Sequence, residues 1–318
     1  MVQQKGVLGE AATAASPQTT SRANRYAQFV PFLFLIPTIG LLLVLVVPVF
    51  VFLIKESLIQ GNPLLGINVQ FVGLDNFISL LTSGSYWVIW LRTLGFVVVA
   101  LGLEIGLGVC LAMLMSRRRW GNVLSIVVML PLATEPAITA LVWQSWFNPA
   151  YGIVDFYLMK AHVINAAIPW LSQTNTTFIV LILLNMWQWT PFVAIIILGG
   201  LKSVSAELYQ SAAVDGASAW QTFWHITLPS IWPFLSVAVL LRLIDLFKTY
   251  ASINTLTGGG PGQSTVLMSL AIYRNTLQYY QVGLGSAEGL LMLIIVSILV
   301  SATFKLLGIR RGGRPFDL

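Results

Sequence analysis

Three polar side chains, Arg242, Asp245 and Thr249, interrupt a long apolar stretch in the last third of the chain. Their spacing of three and then four residues places them on one face of an α-helix. Ionisable groups are costly to bury in such a stretch, so they are candidates for a functional site. Together they could exchange hydrogen bonds with the hydroxyl groups of a polar solute. Alternatively, Arg242 and Asp245 only pair with each other, and both interpretations can hold together.

A second polar face lies in the preceding apolar stretch, where Asn185, Trp189 and Phe192 are spaced by four and three residues. A helix again brings these side chains to one face. Aromatic rings stack on the apolar faces of sugar rings, and an amide can hydrogen-bond to hydroxyl groups, so this pattern suits a carbohydrate. Anchoring at the membrane surface is the better interpretation of four other tryptophans, Trp87, Trp90, Trp143 and Trp146.

Two acidic residues, Glu104 and Glu135, also lie in apolar stretches. We expect both to make hydrogen bonds between helices, in preference to forming a proton relay. Glu135 directly precedes Pro136, and Pro131 lies in the same stretch. Proline removes a backbone donor from a helix, so the sequence predicts a kink at this point.

The elements that must position these residues are membrane-spanning helices. Of the 318 residues, 57% are hydrophobic and only 9% are charged, whereas a soluble domain carries about 25% charged residues. The apolar runs are continuous rather than alternating, which excludes a β-barrel. A crossing helix needs about 20 apolar residues. The sequence therefore predicts an all-α membrane protein with six transmembrane helices, at residues 29–54, 87–115, 123–147, 176–198, 231–250 and 288–307.

Glycines are concentrated in the second of these spans, at Gly102, Gly106 and Gly108. Small residues about four positions apart let two helix backbones approach closely. We expect this face to pack against a neighbouring span.

Lysine and arginine are distributed unevenly between the two sides of the six spans. With the N-terminus inside, the inner segments hold eleven of these residues and the outer loops three, with Lys248 near an outer helix end. Basic residues favour the cytoplasmic side, so both termini are predicted to be cytoplasmic. We expect a disordered tail over residues 1–28, a transmembrane domain over 29–308 and a basic tail over 309–318. This placement explains the net charge of +6 without a nucleic-acid partner.

The sequence lacks the residues that several kinds of chemistry require. Cys110 is the only cysteine, so neither a disulfide within the chain nor a multi-cysteine metal site can form. His162 and His225 are too far apart in the sequence to indicate a metal site. The sequence contains no Gly-x-x-x-x-Gly-Lys-Ser/Thr phosphate loop and no visible nucleophile, base and acid set. We therefore predict a protein without enzymatic activity, metal or cofactor of its own.

A polar island at residues 205–229 separates the fourth and fifth spans, on the predicted cytoplasmic side. Ser205 is a plausible N-cap of a short helix, and Gly216 would let the chain leave this helix in a left-handed conformation. Ala212 and Ala213 are small, so a groove on a partner could close around them.

The end of the island, residues 225–229, is expected to turn the chain back into the bilayer. An amphipathic helix lying on lipid headgroups is the alternative interpretation of the island. Its few basic residues disfavour that alternative.

The island resembles the cytoplasmic loop of the permease subunits of ATP-binding-cassette importers. The family pattern is Glu-Ala-Ala, three residues, Gly, about nine residues and Ile-x-Leu-Pro. Here Gln210-Ser211-Ala212, Gly216 and Ile226-Thr227-Leu228-Pro229 stand at those spacings. Further matches lie at residues 71–77, 146–152 and 256–261. The ordered set covers about residues 30–310 and is similar to the carbohydrate-uptake subfamily, in particular to its maltose-permease-like first subunit.

One departure from the pattern concerns its first positions. Gln210 stands where the family has glutamate, and Ser211 stands where it has its first alanine. Glu207 lies one helical turn earlier on the same face and could supply the acidic group.

The resemblance implies an inner-membrane transport subunit of a bacterium or archaeon, with several partners. These are a second homologous permease, two ATPases that bind ATP and magnesium, membrane lipid, and an extracytoplasmic sugar-binding protein docking on the outer loops. Those loops are residues 55–86, 148–175 and 251–287. The residues implied to contact an ATPase are Glu207, Gln210, Ser211, Ala212, Asp215, Gly216, Leu228 and Pro229.

The resemblance also places sugar-contact positions on both polar faces, at Asn185, Trp189, Phe192, Arg242, Asp245 and Thr249. Only Asn185 keeps the residue type of the family, so a charged pair replaces neutral groups. The expected substrate is a di- or oligosaccharide, with a polyol or glycerol-type substrate as the alternative. Two other classes stay open: a proton-coupled secondary transporter using Asp245 or Glu135, which leaves the island unexplained, and a membrane-embedded enzyme, which lacks a reactive site.

Overall fold

Helices make up most of the structure. The computed structural model describes residues 20–62, 66–117 and 121–308. The long helices are α1 (Thr20–Ser57), α3 (Gly84–Arg117), α7 (Thr174–Ser203), α10 (Leu228–Phe247) and α13 (Val282–Leu306). The short helices are α2 (Asp75–Thr82), α4 (Gly121–Met129), α5 (Pro136–Trp146), α6 (Ile153–Lys160), α8 (Ala206–Val214), α9 (Ala219–Thr222), α11 (Ala251–Leu256) and α12 (Met268–Tyr273).

The chain divides into two compact units, Met1–Phe52 and Leu53–Leu318. In the first unit α1 begins at Thr20. Residues 20–28 of the expected disordered tail are therefore helical, whereas residues 1–19 and the expected C-terminal tail, residues 309–318, lie outside the described residues.

A small antiparallel hairpin is the one element type that the all-helical prediction omitted. It consists of β1 (Ile59–Asn62) and β2 (Ile67–Phe71), with Ile59 opposite Phe71 and Gln60 opposite Gln70. Both strands are short and polar in part, so their composition carries little strand signal.

Within the described residues, five helices are long and apolar enough to cross a membrane, and the third predicted span is formed differently. Its two halves, Val123–Ala133 and Pro136–Trp146, meet at 92°. Both prolines act here, because Pro131 lies in a 3₁₀ turn that ends the first half and Pro136 begins the second. The kink predicted in the third span is therefore present, and it divides the span into two short helices.

Glu135 serves the start of α5 and does not link two helices as expected. Its Oε2 accepts a hydrogen bond of 2.9 Å from the backbone N–H of Ile138. This is the usual task of an acidic N-cap, which satisfies a donor that the first helical turn leaves unpaired. Its side chain is exposed.

The centre of the second unit is the packing of α3, α7 and α10 against one another. Gly108 on α3 lies so close to α7 that a Cβ built on it would be 2.5 Å from Cγ1 of Val193. The expected close contact therefore occurs at Gly108. It does not occur at Gly102 or Gly106, where nothing lies within 4 Å of the built Cβ.

The polar island forms α8 and α9, with a sharp turn between them. Gly216 adopts a φ of +72°, as expected for a left-handed residue after a helix. The N–H of Ala217 bonds to the carbonyl of Ala212 at 2.9 Å, and that of Gly216 to Ala213 at 3.2 Å. These two bonds complete a Schellman motif. Ser205 is the N-cap residue, but its side chain makes no capping hydrogen bond.

The chain turns back earlier than expected, between Gly216 and Ser218. Ser218 and Gln221 form a capping box that starts α9. From there a π-helical turn, Phe223–Thr227, leads directly into α10. Residues 225–229 therefore lie inside one 29-residue helical run, Ala219–Phe247, and do not form the turn.

Replacing Gly108 with alanine is expected to destabilise the protein by about 1–3 kcal/mol, because the added methyl group overpacks the contact between α3 and α7. Gly106→Ala is the matched control, since open space surrounds its Cβ and alanine favours a helix over glycine by about 1 kcal/mol. Thermal unfolding in detergent, followed by tryptophan fluorescence, measures both variants. Equal melting temperatures would contradict the close packing at Gly108.

Candidate functional site

Arg242 is the centre of a buried polar cluster that joins α3, α7 and α10. Its Nε and one terminal nitrogen donate to the two carboxylate oxygens of Glu104, at 2.7 and 2.9 Å. The same terminal nitrogen donates to Oδ1 of Asn185 at 3.0 Å. The other terminal nitrogen donates to Asp245 at 2.7 Å. One guanidinium group therefore fixes three helices relative to one another.

The pair of Arg242 and Glu104 is closed to solvent, with exposed side-chain fractions of 1% and 0%. A buried charge is tolerated when its partner and its hydrogen bonds are in place, and removing one partner is strongly destabilising. The planar guanidinium matches a carboxylate at two points, which favours this geometry over that of a lysine. We infer that the pair is required for the packing of α3 against α10.

Trp189 covers the guanidinium from α7. The Cζ atom of Arg242 lies 4.5 Å from the centroid of the Trp189 ring, within the range of a cation–π contact. Phe192 packs edge-on against the same tryptophan, at 6.4 Å between ring centroids. The indole ring is thus held in one orientation by a charge and by an aromatic neighbour.

A cavity of about 200 Å³ opens beside this cluster. The Trp189 ring, Asp245 and Thr249 line it, together with Pro136, Lys248, Tyr250, Ala251 and Ser252. Asp245 is 37% exposed and also lies 3.5 Å from the ammonium group of Lys248. The cavity therefore presents an aromatic face, a carboxylate, an ammonium group and hydroxyl groups within a small volume.

The six predicted substrate residues occupy three kinds of position in the structure. Trp189, Asp245 and Thr249 line the cavity. Asn185 and Arg242 are buried behind it, with exposed fractions of 0% and 1%, and hydrogen-bond to each other. Phe192 packs on Trp189 from the side. The predicted pairing of Arg242 with Asp245 is present.

Glu104 belongs to this cluster, and the sequence did not indicate that it does. A hydrogen bond between helices was expected for it, and it makes two, both to Arg242. Its partner lies 138 residues away in the chain, so no local pattern could identify the pair. The only available signal was that both are ionisable residues in apolar runs.

The bend between the halves of the third span is connected to α7. The side-chain amide of Gln188 donates to the backbone carbonyl of Thr134 at 3.0 Å, and the hydroxyl groups of Thr134 and Thr139 lie 2.7 Å apart. These bonds hold the bend near α7, and Pro136 reaches the wall of the cavity. The break in the third span thus contributes to the cavity that contains the predicted residues.

The polar island presents most of its predicted contact residues to solvent. Glu207, Gln210, Ser211, Asp215 and Gly216 are exposed. The other three are less accessible: Ala212 is only 7% exposed, and Leu228 and Pro229 are half-buried at the start of α10. Ala213, rather than Ala212, is the small residue that faces outward.

Exposed apolar side chains accompany this polar surface. Val214 is 88% exposed and Trp220 is 70% exposed. Between α8 and α9 lies a groove of about 340 Å³, lined by Asp215, Gly216, Ala217, Gln221, Thr222, His225 and Ile226. The hydroxyl groups of Tyr209 and Thr227 lie 3.3 Å apart and connect α8 to the π-helical turn. A well-ordered apolar and polar surface of this kind is typical of a protein-docking site.

Residues 104–311 match the family described as the binding-protein-dependent transport system inner membrane component. The chain belongs to this family. The matched region contains Glu104, both polar faces and the whole island. It follows that this permease is a multi-pass inner-membrane transport subunit and not an enzyme, as the sequence predicted.

Curated relatives of the permease include sugar transport proteins. It is 34% identical to the trehalose/maltose transport system permease protein of Thermococcus litoralis over 230 residues, which cover 71% of this chain and 76% of the relative. It is 29% identical to the diacetylchitobiose uptake system permease protein of Streptomyces coelicolor over 285 residues, which cover 86% and 85% of the two chains. The predicted resemblance to sugar-uptake permeases of ATP-binding-cassette importers is confirmed.

A solved structure supports the fold of the permease independently. A chain of a bacterial ATP-binding-cassette transporter for alginate import superposes with a TM-score of 0.76 at 23% sequence identity, covering 90% of this chain and 97% of that one. The predicted importer-permease fold is therefore confirmed.

Glu104→Ala is expected to lower the free energy of unfolding by about 3–5 kcal/mol, because it leaves the Arg242 charge buried without its main partner. Asp245→Ala should destabilise less, since Asp245 is 37% exposed and Arg242 keeps Glu104. The midpoint of thermal unfolding in detergent compares the two.

The double variant Glu104→Leu/Arg242→Met provides the control for this prediction. It removes both buried charges, so it should recover most of the stability lost in Glu104→Ala. Equal destabilisation by Glu104→Ala and Asp245→Ala would show that Glu104 is not the main partner.

Proposed function

We propose that this permease is the membrane-spanning subunit of an ATP-driven importer that moves a di- or oligosaccharide into the cytoplasm. The observation that carries the proposal is the cavity beside Arg242, where Trp189, Asp245 and Thr249 converge. An aromatic face, a carboxylate and a hydroxyl group are the groups that recognise a sugar ring and its hydroxyls. The names of the sugar-transporting relatives support the same substrate class.

In this proposal the buried cluster positions the groups that touch the sugar. Arg242 holds the carboxylate of Asp245 through a 2.7 Å hydrogen bond, and it holds the ring of Trp189 by its charge. The sugar stacks on Trp189 and donates a hydroxyl proton in a hydrogen bond to Asp245. Because most donors of Arg242 are already engaged with Glu104, Asn185 and Asp245, its charge is not available to bind an anionic substrate.

The partners belong to the same proposal. The basic residues favour an orientation with both termini in the cytoplasm, which places the island there too. We infer that the permease pairs with a second homologous permease and with two ATPases, which bind ATP and magnesium. An extracytoplasmic sugar-binding protein would dock on the outer loops at residues 55–86, 148–175 and 251–287.

Coupling would run along the helix that follows the island. The run from Ala219 to Asp245 is helical throughout, and at a rise of 1.5 Å per residue it extends about 40 Å. An ATPase that moves α8 and α9 therefore acts on one end of a stiff element whose other end carries Asp245. The exposed residues Glu207, Gln210 and Ser211 offer the polar contacts for that ATPase, with Glu207 able to supply an acidic group.

A proton-coupled mechanism is less consistent with the geometry. Asp245 forms ion pairs with both Arg242 and Lys248. Glu135 caps α5. Both carboxylates are therefore engaged in contacts within the chain.

The proposal is tested with the permease reconstituted in liposomes together with its partner permease, ATPases and binding protein. We expect ATP hydrolysis and uptake to be stimulated by a di- or oligosaccharide bound to the binding protein. Polyols are tested in the same panel, and stimulation only by a polyol would revise the substrate class. No stimulation by any of these solutes would overturn the proposal.

Asp245→Ala is expected to reduce sugar uptake at least tenfold, because the cavity loses its carboxylate and Arg242 loses a partner. Asp75→Ala, which removes an exposed carboxylate on α2, is the matched control and should transport normally. Uptake is measured in proteoliposomes, and assembly by co-purification with the ATPases. Loss of assembly in Asp245→Ala would assign Asp245 a structural role instead.

Gly216→Asp is expected to uncouple ATP hydrolysis from uptake, while the binding protein still docks. A Cβ at Gly216 meets nothing within 4 Å in this chain, so the substitution adds backbone strain at the φ of +72° but no clash within the permease. Gly66→Asp is the control, because Gly66 has a similar φ of +66° and equally open surroundings. Normal uptake per ATP hydrolysed in Gly216→Asp would rule out the coupling role of the island.

A further inference from the structure

A large polar cavity lies at the opposite side of the fold from the island in the proposed orientation. It is formed by the hairpin of β1 and β2, α2, the start of α3 and the start of α13, and we call it the outer cavity. It consists of two adjoining parts of about 780 and 360 Å³, which share Ser79, Tyr279 and Leu284 as walls. Pockets for drug-sized ligands have volumes of about 300–1,000 Å³.

Side-chain amides and tyrosines line the larger part. Gln60, Gln70 and Gln281 contribute amides, and Tyr279 and Tyr280 contribute aromatic rings. Both rings are more than half exposed, at 56% and 55%. Amides that donate and accept hydrogen bonds, together with accessible aromatic faces, are the groups that bind neutral polyhydroxyl molecules.

Glu288 lies at the bottom of the smaller part and is only 3% exposed. Its Oε1 accepts a hydrogen bond of 2.8 Å from the side-chain amide of Asn275. Its Oε2 has no hydrogen-bond partner among the described residues. A buried acceptor without a partner is costly, and a ligand that donates a hydrogen bond would satisfy it.

The walls of the outer cavity are held in place by close backbone contacts. A Cβ built on Gly283 would lie 1.8 Å from the carbonyl oxygen of Ile59, and one on Gly285 would lie 2.0 Å from the hydroxyl of Thr276. The hairpin and the π-helical turn at Arg274–Gln278 are therefore tightly packed on α13. The cavity is pre-formed in this chain.

Tyr280 adopts a strained backbone conformation that presents its ring to the cavity. Its φ of +57° is in the left-handed region, which is strained for a non-glycine residue. The backbone N–H groups of Tyr279 and Gln281 donate to the carbonyls of Arg274 and Asn275, both at 2.7 Å, and hold the segment. Strain of this kind is concentrated at binding sites.

The charges in the cavity favour a neutral ligand. Arg274 and Glu288 both line the smaller part, so a cation would meet a guanidinium and an anion would meet a carboxylate. A molecule with many hydroxyl groups can donate to Glu288 and accept from amides in the same cavity.

We propose that the outer cavity is a second carbohydrate-binding site, which holds a neutral sugar at the outer face of the permease before it reaches the cavity beside Arg242. The inference depends on the proposed function only for the direction and class of the transported solute. Oε2 of Glu288 accepts a hydrogen bond from a sugar hydroxyl, and Asn275 holds the Glu288 carboxylate in position. Tyr279 and Tyr280 supply the surface on which a sugar ring stacks.

The test uses the complete transporter in lipid nanodiscs without the binding protein, titrated with maltose and trehalose as neutral disaccharide probes. Saturation-transfer NMR detects weak binding directly. We expect a saturable signal that falls at least fivefold in Glu288→Gln and in Tyr280→Gly. Glycine adopts the positive φ without strain, so Tyr280→Gly removes the ring and preserves the backbone.

Two controls separate this site from its surroundings. Leu277→Ala removes an exposed apolar side chain from the same segment (57% exposed) and should leave the signal unchanged. Trp189→Ala alters the cavity beside Arg242. A signal that persists in this variant therefore comes from the outer cavity.

Three results would overturn the inference. The first is the absence of a saturable signal for either disaccharide. The second is a signal that is lost in Trp189→Ala but kept in Tyr280→Gly. The third is that Glu288→Gln and Tyr280→Gly weaken docking of the binding protein but not binding of the sugar. Sugar-stimulated uptake by the complete system, measured separately, would still hold in each case if the proposed function is correct. A failure of the outer site is therefore distinguishable from a failure of the importer.

Discussion

The position of a single positive charge in an apolar interior determines much of this fold. Arg242 is part of α10. The burial of its charge is tolerated only while Glu104 on α3 and Asn185 on α7 lie within hydrogen-bond distance of it. That requirement fixes the rotation of all three helices about their axes. It also turns Trp189 and Asp245 towards the adjoining cavity. The buried hydrogen bonds of Arg242 with Glu104 and Asn185 therefore position the predicted substrate residues Trp189 and Asp245.

The same helix connects the island to the cavity beside Arg242. Its beginning lies against the island through Tyr209 and Thr227, and its end carries Asp245 into the cavity wall. A continuous helix transmits displacement from one of these regions to the other with little loss. The bend at Pro136 completes the cavity from the other side, because Gln188 holds that bend against α7.

Features that depend on neighbouring residues could be read from the sequence. The apolar runs, the left-handed Gly216 and the pairing of Arg242 with Asp245 at a spacing of three are local. Features that depend on packing could not be. The partner of Glu104 lies 138 residues away, Ala212 faces inward while Ala213 faces outward, and only Gly108 of three similar glycines meets another helix. The 92° bend exceeds the predicted kink because two prolines and a capping carboxylate act together there.

The π-helical turn at Phe223–Thr227 has a consequence for how sequences of this type can vary in length. Such a turn accommodates one residue more than an α-helical turn would, and each residue of an α-helix rotates the chain by about 100°. The turn therefore absorbs one extra residue without changing the angular offset between the island and the face that bears Arg242. Loss of one residue there would convert the turn to ordinary α-helix and leave the guanidinium in line with Glu104, whereas loss of one residue between the turn and Arg242 would rotate it by about 100°. A single-residue deletion should consequently be far better tolerated in this turn than in the first half of α10.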